Sequence, residues 1–121
     1  EIAINAQKIF IIMRLKRRAF VERLHFRTSP GHLGGGEDRK CLELPGAGPQ
    51  LVVTDKCVFR FDEQTREMTL ESLYPGVSLP EVEKNVGWDL RVASDLEEVA
   101  PPAPDELSLL REELDPQGLY R

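Results

Sequence analysis

The chain has 121 residues, 40% hydrophobic and 31% charged, with a net charge of −5. That is the balance of one ordinary folded domain, residues 1–121; it excludes wholesale disorder, collagen and coiled coil, and the acidic sum argues against a nucleic-acid binder. The longest apolar run, Ile9 to Met13, is far too short for a membrane span, and no signal-peptide pattern is visible.

Ile9 to Met13 is a continuous apolar run rich in β-branched residues, which predicts a strand buried on both faces, as in a parallel sheet. Ala19 to Phe26 is a weaker strand candidate. A long irregular stretch follows from Thr28 to Pro49, holding the clusters PGHLGGG and PGAGP. Loops of this length are uncommon in a compact domain unless they have a function or move.

Leu51 to Thr54 and Cys57 to Phe61 read as strands joined by the turn Asp55-Lys56, and Glu67 to Leu73 as a third, which together predict an antiparallel meander. In the middle strand Cys57, Phe59 and Phe61 point to one side, Val58 and Arg60 to the other. Ser78-Leu79-Pro80-Glu81 fits a capping box opening a short helix, with Val82 and Val86 on one face and Gly87 at its end. Trp88 to Ala93 predicts another strand. Pro104 to Leu114 predicts an amphipathic helix with Leu107, Leu110 and Leu114 as its buried stripe. Strands mixed with two helices and an antiparallel meander give an α/β or α+β fold, and the apolar first strand favours α/β.

Charge is divided along the chain. Residues 1–40 hold nine Lys or Arg against four Asp or Glu, and residues 41–121 hold seven against seventeen. The run Arg14, Lys16, Arg17, Arg18 follows the first strand, where basic groups suit an anionic ligand, although ordinary solvated surface explains it as well. Phe10, Phe20 and Phe26 form no stacking pattern among these cations, which argues further against nucleic acid.

Only two histidines occur, His25 and His32, seven residues apart and without a metal-ligand partner pattern, so no metal site is expected. His25 is expected on a strand, facing outward or capped by hydrogen bonding. His32 sits in the glycine loop and is the better candidate for ligand contact. Neither PGHLGGGED nor PGAGPQ completes a nucleotide-binding motif. Their glycines permit close backbone approach and an anion or oxyanion contact; a plain connection is the other reading. Cys41 and Cys57 belong to no CxxC pair and read as free thiols in a reducing compartment, hence a cytoplasmic chain.

The segment IIMRLKRRAFVERLHFRTSPGHLGGG resembles the β subunit of family I CoA-transferases of the glutaconate CoA-transferase type. The likeness continues through LPGAGPQLVVTDKCVFRFDEQTREMTLESLYPGVSLPEVEKNVGWDL and ends in PPAPDELSLLREELDP, so it covers nearly the whole chain. The resemblance implies an α/β fold with a mostly parallel central sheet flanked by helices, a homologous α subunit and further β copies as partners, a CoA thioester as substrate with no bound cofactor, and an acceptor carboxylic acid. It implies covalent catalysis, in which a glutamate attacks the thioester, passes through an anhydride and becomes a glutamyl-CoA thioester. Some members of the family instead hydrolyse CoA thioesters with ring opening; a non-catalytic binding or assembly module is a third reading.

In the family the catalytic glutamate lies upstream of the segment matching Ile11 to Arg18. None of Glu1, Glu22, Glu37 or Glu43 lies in the matching motif, so no catalytic residue is assigned in this chain. The chain resembles the C-terminal half of the β subunit and is expected to be inactive alone. Thr28, Ser29, Gly31 and His32 are expected to border the acyl-CoA pocket, because their loop follows a strand and its glycines allow close approach.

Overall fold

The computed structural model describes residues 2–119. Five strands form one sheet in sequence order: β1 (Ile9–Ile12), β2 (Pro49–Val53), β3 (Cys57–Phe61), β4 (Met68–Leu73) and β5 (Arg91–Glu98). Helix α1 (Ile2–Asn5) precedes β1, α2 (Asp38–Cys41) precedes β2, α3 (Leu79–Lys84) lies between β4 and β5, and α4 (Pro104–Ser108) runs into a π-helical segment, Leu109–Leu114. The fold is α/β with a mixed sheet. β1–β2 and β4–β5 pair parallel, whereas β2–β3–β4 form the expected antiparallel meander.

The core lies on one face of the meander. Val52, Cys57, Phe59 and Leu70 are buried together with Leu15, Phe20, Val82 and Val86. The alternation read in β3 holds: Cys57 and Phe59 are fully enclosed while Arg60 is exposed and pairs with Glu71 across the ladder. The turn before β3 is built by Thr54, whose Oγ1 accepts the Cys57 and Lys56 N–H groups at 2.9 and 3.1 Å and donates to the Cys57 carbonyl at 2.7 Å. Asp55, freed to point outward, accepts the Leu15 N–H at 2.7 Å; this bond is the main reason its carboxyl stays below its ordinary range.

Several sequence expectations are corrected. β1 is an edge strand of the described sheet, not one buried on both faces. Ile11 packs on the core, but Phe10 and Ile12 are 60% and 82% exposed, because β1 has a neighbour on one side only and one face uncovered. Ala19 to Phe26 forms turns, not a strand; only Phe20 is buried, with its ring 5.6 Å from Phe59 and 6.4 Å from Trp88. His25 is therefore an exposed loop residue, not a strand residue. β5 starts at Arg91, after Trp88, whose ring stacks on Phe20.

The helix ends supply two further corrections. Ser78 occupies the position before α3, yet its side chain makes no capping bond, and Glu81 pairs with Lys56 in place of reaching back. In the last helix Leu107 is half-buried, but Leu110 and Leu114 are exposed, so the leucine stripe does not face this chain's core. At its opening the Glu106 carboxylate accepts the Ala103 N–H at 2.9 Å.

Candidate functional site

The two glycine-rich loops converge, and one buried side chain joins them. Arg39, on α2, is 7% exposed. Its Nε donates to the Gly46 carbonyl at 2.8 Å, Nη1 to Gly31 at 2.7 Å and Nη2 to Ile4 at 3.2 Å. One guanidinium thus ties the first loop, the second loop and α1 together. A buried cation is tolerated here because carbonyl dipoles replace the water it loses. Nothing in the local pattern EDRKC distinguishes Arg39 from a surface arginine, so sequence reasoning passed over it.

His32 stands at the junction. Its Nε2 lies 2.7 Å from the Pro49 carbonyl, which can only accept, so Nε2 carries the proton. Its ring packs at 4.7 Å against Phe61 of β3. Burial is the main cause that holds the imidazole below its ordinary pKa; Arg66 and Arg39 push the same way, and the Pro49 bond opposes them. The loops approach so closely that two positions admit glycine alone. A β-carbon at Gly46 would lie 2.4 Å from the carbonyl oxygens of Ile4 and Ala6. Gly48 has φ +81° and faces His32 and Arg39.

A cavity of about 270 Å³ opens at this junction, lined by His32, Gly36, Arg39, Lys40, Leu44, Pro45, Gly46, Ala47 and Arg66. Of the four residues singled out by sequence, His32 lines it and Gly31 braces it through Arg39. Thr28 and Ser29 are exposed and lie outside its wall. Arg66 was not anticipated: it projects from the turn between β3 and β4 with φ +63°, a left-handed conformation unusual for an arginine.

The basic run after β1 has in part a structural task. Arg17 Nη1 donates to the Val86 carbonyl and, at 3.2 Å, to the Lys84 carbonyl, placing a cation at the C-terminal end of α3. Cys41 and Cys57 are both free thiols; Cys57 is enclosed, and burial raises its pKa. Among the described residues no cluster of three His, Cys, Asp or Glu could hold a metal, and no helix is long and apolar enough to cross a membrane.

A mixed sheet with paired glycine loops at one end defines an α/β scaffold with its candidate site in the loops. Residues 1–85 match the family model for coenzyme A transferase, and the chain belongs to that family. It is 42% identical over 111 residues to the β subunit of the 3-oxoadipate CoA-transferase of Pseudomonas knackmussii, covering 92% of this chain and 43% of that protein. It is 45% identical over 107 residues to the β subunit of the glutaconate CoA-transferase of Acidaminococcus fermentans, covering 88% of this chain and 40% of that protein. The crystal structure of the A. fermentans glutaconate coenzyme A-transferase superposes with a TM-score of 0.88 at 41% identity, covering 98% of this chain and 45% of that one. The chain spans about two-fifths of the length of the curated relatives it matches.

Proposed function

We propose that this chain is the C-terminal part of the β subunit of a CoA-transferase, moving CoA between carboxylic acids. The observation that carries the reading is the 42–45% identity to two CoA-transferase β subunits over about nine-tenths of the chain. The working enzyme is completed by a homologous α subunit and further β copies, acts on an acyl-CoA and a free acid, and works in the cytoplasm.

The nucleophile is a glutamate outside this chain. Its carboxylate attacks the thioester carbonyl, forming a mixed anhydride and releasing CoA thiolate. The thiolate attacks the glutamyl carbonyl, giving the glutamyl-CoA thioester and the first acid as carboxylate. The second acid reverses both steps. Two moderate barriers replace one large one. The loops of this chain border the acyl-CoA pocket, with His32 nearest the ligand and Thr28, Ser29 and Gly31 along its approach.

Exchange of labelled CoA between two acids tests the proposal. A complete β subunit carrying this segment, paired with its α subunit, is expected to turn over, and the 121-residue chain alone is expected to show background only. Turnover by the chain alone that disappears when one of its own glutamates is replaced would overturn the assignment. So would hydrolysis without exchange by the complete pair.

A further inference from the structure

We propose that the cavity between the two glycine loops is a subsite for a small oxyanion, a carboxylate or phosphate group of the reacting molecules. Assigning the anion to a reactant rests on the CoA-transferase reading; the anion preference itself rests on the wall. That wall carries His32, Arg39, Lys40 and Arg66 and no aspartate or glutamate. The rest is glycine and apolar surface from Leu44 to Ala47. Several cations facing one concave space attract an anion more strongly than the same charges on a convex surface, because the low-dielectric walls focus their field.

Three acids close in sequence to these residues already have partners. Glu37 pairs with Lys40 at 2.5 Å on the outer surface. Asp38 accepts the Gly34 N–H at 2.9 Å. Asp62 accepts the Gln64 and Thr65 N–H groups at 2.9 and 2.7 Å. Donors remain on the arginines of the wall. A guanidinium has five N–H groups, and Arg39 uses three of them on loop carbonyls, leaving two. The exposed Lys40–Glu37 pair is a weak tie that an incoming anion can replace. The planar fork of Arg66 suits the two oxygens of a carboxylate or phosphate. Arg66 lines both this cavity and the neighbouring hollow, whose other lining residues are Gln50, Arg60, Phe61 and Glu63.

Titration calorimetry of the purified chain at low salt, with pyrophosphate and with glutarate as separate probes and glutaramide as the uncharged control, tests the proposal. Binding is expected for at least one anion and not for glutaramide. Arg66→Asn, which keeps a residue tolerant of the left-handed backbone, is expected to weaken it at least about tenfold, and Lys40→Ala at least about threefold. Pyrophosphate binding alone assigns the subsite to the CoA phosphates, and glutarate binding alone to the acid substrate; either supports it. The proposal is overturned if neither anion binds, if glutaramide binds equally, or if both folded variants bind as tightly as the parent. Unfolding curves establish that the variants are folded. Anion binding by the chain together with no CoA exchange by the complete pair would uphold the subsite and reject the enzymatic reading.

Discussion

The ring of His32 lies against the space that a side chain at Gly48 would occupy. A β-carbon there would sit 3.0 Å from Cε1 and 3.1 Å from Nδ1 of the imidazole, and 3.2 Å from Cδ of Arg39. The φ of +81° at Gly48 adds a conformational cost for any other residue. Gly48→Ala is therefore expected to lower stability by about 1–3 kcal/mol. Part of that cost is shared with His32. In an unfolding cycle of the two single variants and the double variant, Gly48→Ala should cost at least about 0.5 kcal/mol less in the His32→Ala background. Strict additivity would show that the contact carries no energy.

The same burial makes His32 a source of pH dependence. Its pKa in the folded chain is below the ordinary 6.5, so the folded state binds fewer protons than the unfolded state across that window. The linkage sign then follows: stability is full above pH 6.5 and is lost as pH falls from there toward the folded pKa, below which it levels off. His32→Gln keeps a donor for the Pro49 carbonyl but cannot titrate. Denaturant midpoints measured between about pH 7.5 and 5 should fall less for His32→Gln than for the parent. An equal fall in both would assign the acid sensitivity to other groups.

The meander was legible because its signals are local. Period-two alternation in CVFRF and the polar turns on either side specify it without reference to the rest of the fold. The position of β1 was not legible in the same way. A fully apolar run states what a strand tolerates on both faces, not whether anything covers them; in the described structure β1 pairs with β2 along one edge and only its Ile9 and Ile11 face is half-buried. Phe20 shows the converse: its segment joins no strand, yet its ring is buried between Phe59 and Trp88. At the candidate site the glycine loops and His32 announced themselves by composition. Arg39 and Arg66 did not, since an arginine's burial or backbone conformation depends on which distant carbonyls and turns the fold brings to it.

Arg39 gives the sharpest stability test of the loop junction. Arg39→Met preserves much of the side-chain volume but leaves the carbonyls of Gly46, Gly31 and Ile4 without these partners. Unsatisfied buried acceptors cost roughly 1–3 kcal/mol each, and some of that is recovered by water, so a loss of about 3 kcal/mol is expected. Arg39→Lys retains the charge but cannot reach three carbonyls at once, and should fall between. A Met variant as stable as the parent would mean that the loops hold together without the guanidinium.

The two faces of β1 predict opposite responses to charge. Ile11 packs on the core, so Ile11→Asp buries an unpaired carboxylate, which costs several kcal/mol, comparable to the stability of a whole small domain. Ile12 is 82% exposed, and Ile12→Asp in the isolated chain should change stability by less than about 1 kcal/mol. Chemical unfolding of both variants, with soluble yield as a second readout, checks the pair. Equal loss at both positions would place a covering surface over the Ile12 face.

The last prediction separates ligand contact from scaffold in the loop from Thr28 to Gly36. Both Ser29 and His32 stood out in the sequence, but only His32 lines the cavity, while Ser29 is exposed outside it. In the proposed two-subunit enzyme, His32→Gln should lower kcat/KM about tenfold or more, equivalent to about 1.4 kcal/mol of transition-state stabilisation. Because the Pro49 bond has a replacement donor, the melting temperature should move little. Ser29→Ala should lower kcat/KM only if acyl-CoA reaches along the loop on its way to the cavity, and then chiefly through KM, as expected when binding is lost equally from ground and transition states. If His32→Gln leaves kcat/KM unchanged, or lowers it only in step with stability, the loop is scaffold. The cations around the cavity would then have to be explained apart from catalysis.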